Sequence, residues 1–147
     1  MENIKKLIAD NKLNLSTLIV FSRAEHEIHR KEYQTIKSSG LTIAQFGVLE
    51  ALYNKGDMNI NEIIESILTT SGNMTVVIKN LEKDGFINKS IDPRDKRSSI
   101  ISITEKGINI IEEMLPNHIE NINSIFNVLS DEEKITLKNI LKKFKGI

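Results

Sequence analysis

"FINKSIDPRDKRSSIISITEKG", residues 86–107, holds two β-prone runs, FINKSI (86–91) and SSIISI (98–103), around a charged centre. Between them Asp92 and Pro93 make a chain reversal, because proline fixes its own φ and aspartate bonds back to the local backbone. The residues that follow are all charged, with both signs present: Arg94, Asp95, Lys96, Arg97. This is a β-hairpin with a charged tip. Thr104 then stands where the N-cap of a helix belongs, and a long apolar periodicity begins.

Upstream of the hairpin the helix punctuation is equally local. In LTIAQF (41–46) Thr42 and Gln45 have the spacing of a capping box, with Leu41 and Phe46 placed as its hydrophobic staple. That helix ends at Gly56, a residue suited to the left-handed turn past a helix. NINE (59–62) repeats the pattern with Asn59, Glu62 and the staple Met58–Ile63, and opens a short helix over about 60–67. A further helix is expected from about Ser71 to Asp84, stopped by Gly85. Three helices followed by a two-stranded hairpin is the winged helix-turn-helix order.

Two longer helical regions flank this lobe. Residues 15–38 read as one helix, and the sequence leaves open whether residues 2–11 continue it. After Thr104, Ile108, Ile111, Leu115, Ile119, Ile122, Phe126 and Leu129 recur three or four residues apart, the spacing of a helix lying along another helix. Pro116 should kink or break that stretch, since it removes one hydrogen bond of the ladder. SDEE (130–133) is a third capping box, opening a last helix to about Phe144.

Composition narrows the function. The chain has 147 residues, 39% of them apolar and 27% charged, which fits one globular domain. No apolar run is long enough to span a bilayer, and the N-terminus does not read as a signal peptide, so a cytoplasmic location is expected. There is no cysteine, which excludes disulfides, thiolate metal sites and thiol redox switching. The 20 basic residues balance the 20 acidic ones, so any attraction to a polyanion must be local. Residues 71–106 carry seven basic and five acidic side chains, a small surplus.

On the 71–84 helix, Met74, Val77, Ile78 and Leu81 mark the buried face. The opposite face offers Ser71, Asn73, Thr75, Val76, Lys79 and Asn80. Asparagine can pair with adenine, threonine and valine methyls can meet the thymine methyl, and lysine can reach phosphate or guanine. In the hairpin, Arg94, Lys96 and Arg97 could enter a minor groove, with Asp92 and Asp95 holding the guanidiniums in place. Each feature also has a plainer reading, a solvated helix face and a solubilising turn.

Three segments carry a family resemblance: DPRDKRSSIISITEKG (92–107), TSGNMTVVIKNLEKDGFI (70–87) and LTIAQFGVLEALYNKG (41–56). They resemble the wing and its exit, the recognition helix, and the opening helix of the MarR family of transcriptional regulators. The likeness covers nearly the whole chain and is nearest the Gram-positive members that respond to quinones or other aromatic compounds. It implies one domain over 1–147, mainly α with a small β wing. A DNA-binding lobe would span 41–103, and residues 1–40 and 104–147 would form dimerisation helices. It implies a homodimer on double-stranded DNA at a near-palindromic operator, acting as a repressor released by a small-molecule effector. Arg97 would be the minor-groove arginine and Asp95 its orienting partner, with Arg94 and Asp92 secondary. Phe21, Phe46 and Tyr53 are candidates to line an effector cleft, or else belong to the core. The chain departs from the family's thiol-based peroxide sensors, whose mechanism needs a cysteine.

The rival classes find less to stand on. There is no nucleophile elbow, Gly-rich phosphate loop or HExxH motif, so catalysis and a cofactor are not expected. A dimeric interaction module on the same scaffold, without DNA binding, is one alternative. A metal-responsive regulator using His26 and His29, spaced one helical turn apart, is another, although scattered histidines on polar faces are mostly surface residues.

Overall fold

The computed structural model of the chain describes residues 2–67, 74–93 and 95–144. Its elements run α1 (Glu2–Asp10), α2 (Lys12–Ser38), α3 (Ile43–Lys55), β1 (Met58–Asn59), α4 (Ile60–Ser66), α5 (Met74–Lys83), β2 (Ile87–Ile91), β3 (Ser99–Ile103), α6 (Glu105–Phe126) and α7 (Asp131–Leu141). The three expected capping boxes form in full, at Thr42–Gln45, Asn59–Glu62 and Ser130–Glu133. Both staples are buried, Leu41 with Phe46 and Met58 with Ile63. Gly56 and Gly85 take positive φ (82° and 76°), ending α3 and α5 as glycine should.

The hairpin β2–β3 is antiparallel, from Ile87 opposite Ile103 to Ile91 opposite Ser99. A third strand was not expected. β1 pairs with β3, Met58 facing Ile101, so the sheet order is β1-β3-β2. It is two residues long, and Asn59 also caps α4. Such a short strand leaves no period-2 pattern to read. Met58, Ile63, Ile78, Leu81, Ile87 and Ile101 close the core of the lobe around Leu49 and Leu52 of α3.

Two other expectations are met only in part. Of the kink or break expected at Pro116, the break does not occur, and α6 runs through it. Pro116 and Glu112, whose carbonyl would have bonded to its missing N–H, are both exposed, so solvent can reach the freed group. Within its own chain α6 buries a face that meets the expected stripe at Ile111, and most of the rest of that stripe is half-buried. Ile111, Met114, His118 and Ile125 face inward, while Ile119 stays 53% exposed and Leu129 lies past the helix end. The region 2–38 is two helices meeting at Asn11, and hydrogen bonds cross the junction from Asn11 N–H to the Leu7 carbonyl and from Leu15 N–H to the Asn11 carbonyl.

α6 runs beside α2 and joins it to the lobe. His118 is the polar member of that seam. Its Nδ1 lies 2.9 Å from the Thr35 hydroxyl, and its ring packs on Phe46 with centroids 4.8 Å apart. Asn121 donates to the Lys31 carbonyl. Beyond this seam the ends of the chain lack cover: Ile4, Leu7, Leu18 and Phe21 on α1 and α2, and Ile135 and Ile140 on α7, are all largely exposed. Among the described residues no helix is long and apolar enough to cross a membrane.

Candidate nucleic-acid interface

The α5 helix buries Met74, Ile78 and Leu81 and keeps Val77 half-buried, as its periodicity requires. Thr75, Val76, Lys79 and Asn80 all lie on its exposed side. Val76 is 43% exposed there, and its methyl groups are of the kind that can meet a thymine methyl. Ser71 and Asn73, expected on the same face, lie outside the described residues, as does Arg94 of the wing.

The wing tip is built by its own backbone. Asp92 N–H donates to the Ser98 carbonyl (3.0 Å) and Ser98 N–H to the Asp95 carbonyl (2.8 Å), which closes the loop tightly. One oxygen of Asp95 accepts from the Arg97 backbone N–H at 3.0 Å and from Arg97 Nε at 3.2 Å. The Arg97 side chain remains 92% exposed. An exposed ion pair of this kind adds little stability, about 0–1 kcal/mol. What it does is restrict where the guanidinium points, leaving the rest of the fork free. Lys96 is exposed beside it. Asp92 is only 3% exposed and does not lack a partner. It therefore belongs to the base of the wing and does not present a charge to an approaching phosphate.

The aromatic trio expected near an effector cleft does not gather at one. Phe46 is core, packed on His118. Phe21 lies on the uncovered part of α2. Tyr53 donates its hydroxyl to Glu112 on α6 at 3.0 Å, and that hydrogen bond raises its phenol above the ordinary value. A cleft of ≈ 260 Å³ opens instead between α2 and α6, lined by Thr35, Ser38, Ser39, Ile110, Glu113, Met114 and Asn117. A second, more open cavity lies by α3 and α4, lined in part by Lys55, Asp57 and Glu65. Neither includes the trio. Hydroxyls, an amide and a carboxylate carry no hydropathy period, so the first cleft had no sequence signal.

His29 pairs with Glu32 (2.7 Å) and Glu25 (3.5 Å), and His26 is exposed nearby. Among the described residues no group of three or more His, Cys, Asp or Glu side chains is arranged to hold a metal ion.

Comparison with known proteins agrees with this geometry. The model of the MarR family matches residues 41–99, from the opening of α3 into β3. The HTH-type transcriptional regulator MhqR of Bacillus subtilis is 36% identical over 130 residues, covering 88% of this chain and 90% of that one. The chain belongs to the MarR family. A second regulator of the same organism, the uncharacterized YkoM, is also 36% identical, over 84% of this chain and 80% of its own. Among solved structures, BpsR of Bordetella bronchiseptica superposes with a TM-score of 0.78 at 28% identity, covering 87% of this chain and 91% of that one. Its DNA binding is described as regulated by 6-hydroxynicotinic acid. The MarR assignment makes the chain a DNA-binding transcriptional regulator of winged helix-turn-helix fold.

Proposed function

We propose that this MarR-family chain is a cytoplasmic homodimeric repressor of a near-palindromic operator, released by a small aromatic effector. The observation that carries the DNA-contact part is the Asp95–Arg97 pair, which holds an almost fully exposed guanidinium at the wing tip. Beside it, α5 offers Thr75, Val76, Lys79 and Asn80 to the major groove. Residues 41–103 form the reading lobe, and 1–40 with 104–147 form the dimer helices. Their uncovered apolar faces on α1, α2 and α7 suit a second copy of the chain.

The effector would enter the α2–α6 cleft rather than the expected aromatic trio. Its binding would favour dimers whose lobes do not match successive major grooves, lowering the DNA-competent population. With no cysteine in the chain, release cannot run through thiol oxidation. The test is to retain random genomic fragments on the purified protein and sequence them, then to titrate phenols and hydroxylated aromatic acids against the enriched site. Enrichment of one symmetric motif, and its loss with one such compound, is expected. Failure to retain any fragment would favour the dimeric interaction module without DNA binding, and retention without a shared motif would contradict a sequence-specific operator.

A further inference from the structure

The exit of α5 is held by the entry of α6 through three consecutive carbonyls. α5 ends in a Schellman turn, with Phe86 N–H on the Leu81 carbonyl (2.9 Å) and Gly85 N–H on that of Glu82 (3.0 Å). The next carbonyls are taken by residues 104 and 106, across the hairpin. The Lys106 ammonium donates to the Asp84 carbonyl at 2.7 Å. The Thr104 hydroxyl donates to that of Gly85 at 2.7 Å, and Thr104 N–H to that of Phe86 at 3.0 Å. Lys106 Nζ also sits 4.6 Å from the centre of the Phe86 ring. Gly107 completes the arrangement: a Cβ there would lie 2.4 Å from the Phe86 carbonyl oxygen.

A cation at this place complements the negative end of the α5 dipole as well as one open carbonyl. Lys106, at the edge of the lobe, is exposed like Lys79 and Lys96, but its ammonium has a backbone partner within the chain. α6 meanwhile lies along α2 and lines the α2–α6 cleft. The clamp is thus a direct hydrogen-bonded link from the entry of α6 to the exit of α5, beside the packing of both helices on α3.

We propose that Lys106 is a positioning residue for DNA reading: its bond to the Asp84 carbonyl makes α5 follow α6. The inference rests on α5 being the helix that reads DNA. The clamp fixes the angle of α5 against the wing and the dimer helices. Loosening it leaves every DNA-facing side chain in place but spreads the orientations in which they meet the groove. The cost falls on matched sites, where geometry counts, and not on general attraction to phosphate.

Lys106→Met keeps the stem over Phe86 and removes the ammonium, while Lys106→Arg can still donate to the carbonyl. Operator and scrambled duplexes are titrated with each at several salt concentrations, well below the melting temperature, with folded fraction followed by circular dichroism. Lys106→Met is expected to weaken operator binding about tenfold per folded dimer, with scrambled-DNA affinity and salt slope unchanged, and Lys106→Arg to restore most of the loss. Equal loss on both duplexes with a flatter salt slope would make Lys106 a phosphate contact and overturn the proposal. So would unchanged operator affinity, or a loss accounted for by unfolded protein. Thr75→Ala is run alongside. If it weakens operator binding while Lys106→Met does not, only the clamp fails; if neither does, the reading of α5 fails with it.

Discussion

Arg97 and Asp95 show how two exposed residues can matter without contributing stability. The guanidinium is aimed by one carboxylate oxygen that also fixes its backbone N–H. If it enters a minor groove, Arg97→Ala should weaken binding to many sequences together. The slope of log affinity against log salt should flatten by about one unit per lost contact in each half-site. Asp95→Ala should weaken binding nearly as much, although charge counting says that removing an acid beside DNA helps. A salt titration of both variants checks this, and an Asp95→Ala protein that binds more tightly than wild type would end the orienting role. Gly107 makes a different demand. Its missing Cβ leaves room for the Phe86 carbonyl and the Ile103 side chain, 2.4 and 2.7 Å from where a Cβ would stand. Gly107→Ala should cost about 1–3 kcal/mol through forced backbone movement, read as a lower urea midpoint at fixed protein concentration.

Helix boundaries were legible because their determinants are local. A capping box needs residues three apart, and all three proposed boxes form. Asn59 shows how much hangs on one of them. α4 has seven residues, too few to persist by propensity, so its cap and its staple to Met58 hold it. Asn59→Ala should cost about 1 kcal/mol, measured in the same urea experiment, and no change in midpoint would show the cap to be redundant. The wing hairpin and the buried face of α5 were legible for the same reason of short range. What the sequence hid is long-range. The strand β1 consists of two residues paired some 40 positions away. Lys106 finds its carbonyl at Asp84 across the hairpin, which nothing in the TEKG segment announces. The apolar stripe of α6 was read as one seam, but a helix between two partners carries two. The residues facing α2 and the lobe are Ile111, Met114, His118 and Ile125, and part of the stripe that was read remains uncovered. Phe46 looked available for a ligand because an aromatic at helical spacing does not show whether core or cleft receives it.

The chain as a single copy is incomplete at its ends. Leu18 on α2, Ile119 on α6 and Val128 beyond it are 61%, 53% and 81% exposed, more apolar surface than an isolated globule keeps at its flanks. A second copy covering α1, α2, α7 and the exposed face of α6 with the turn after it would account for it. Leu18 makes little contact within its own chain, so Leu18→Lys should spare the lobe and weaken the dimer. Sedimentation velocity at micromolar concentration should then show dimeric wild type and a dissociating variant. A wild type that sediments as a folded monomer would remove the dimer helices from the picture. The reading as a whole joins three things: two copies, a recognition helix in each major groove, and a wing arginine in each flanking minor groove. Hydroxyl-radical footprinting on the enriched operator sees all three together, because the radical reports minor-groove access along both strands. The expected pattern is symmetric about a dyad, with outer minor-groove protections that disappear in Arg97→Ala while the central pattern persists. An asymmetric footprint, or outer protections unchanged in Arg97→Ala, would contradict it.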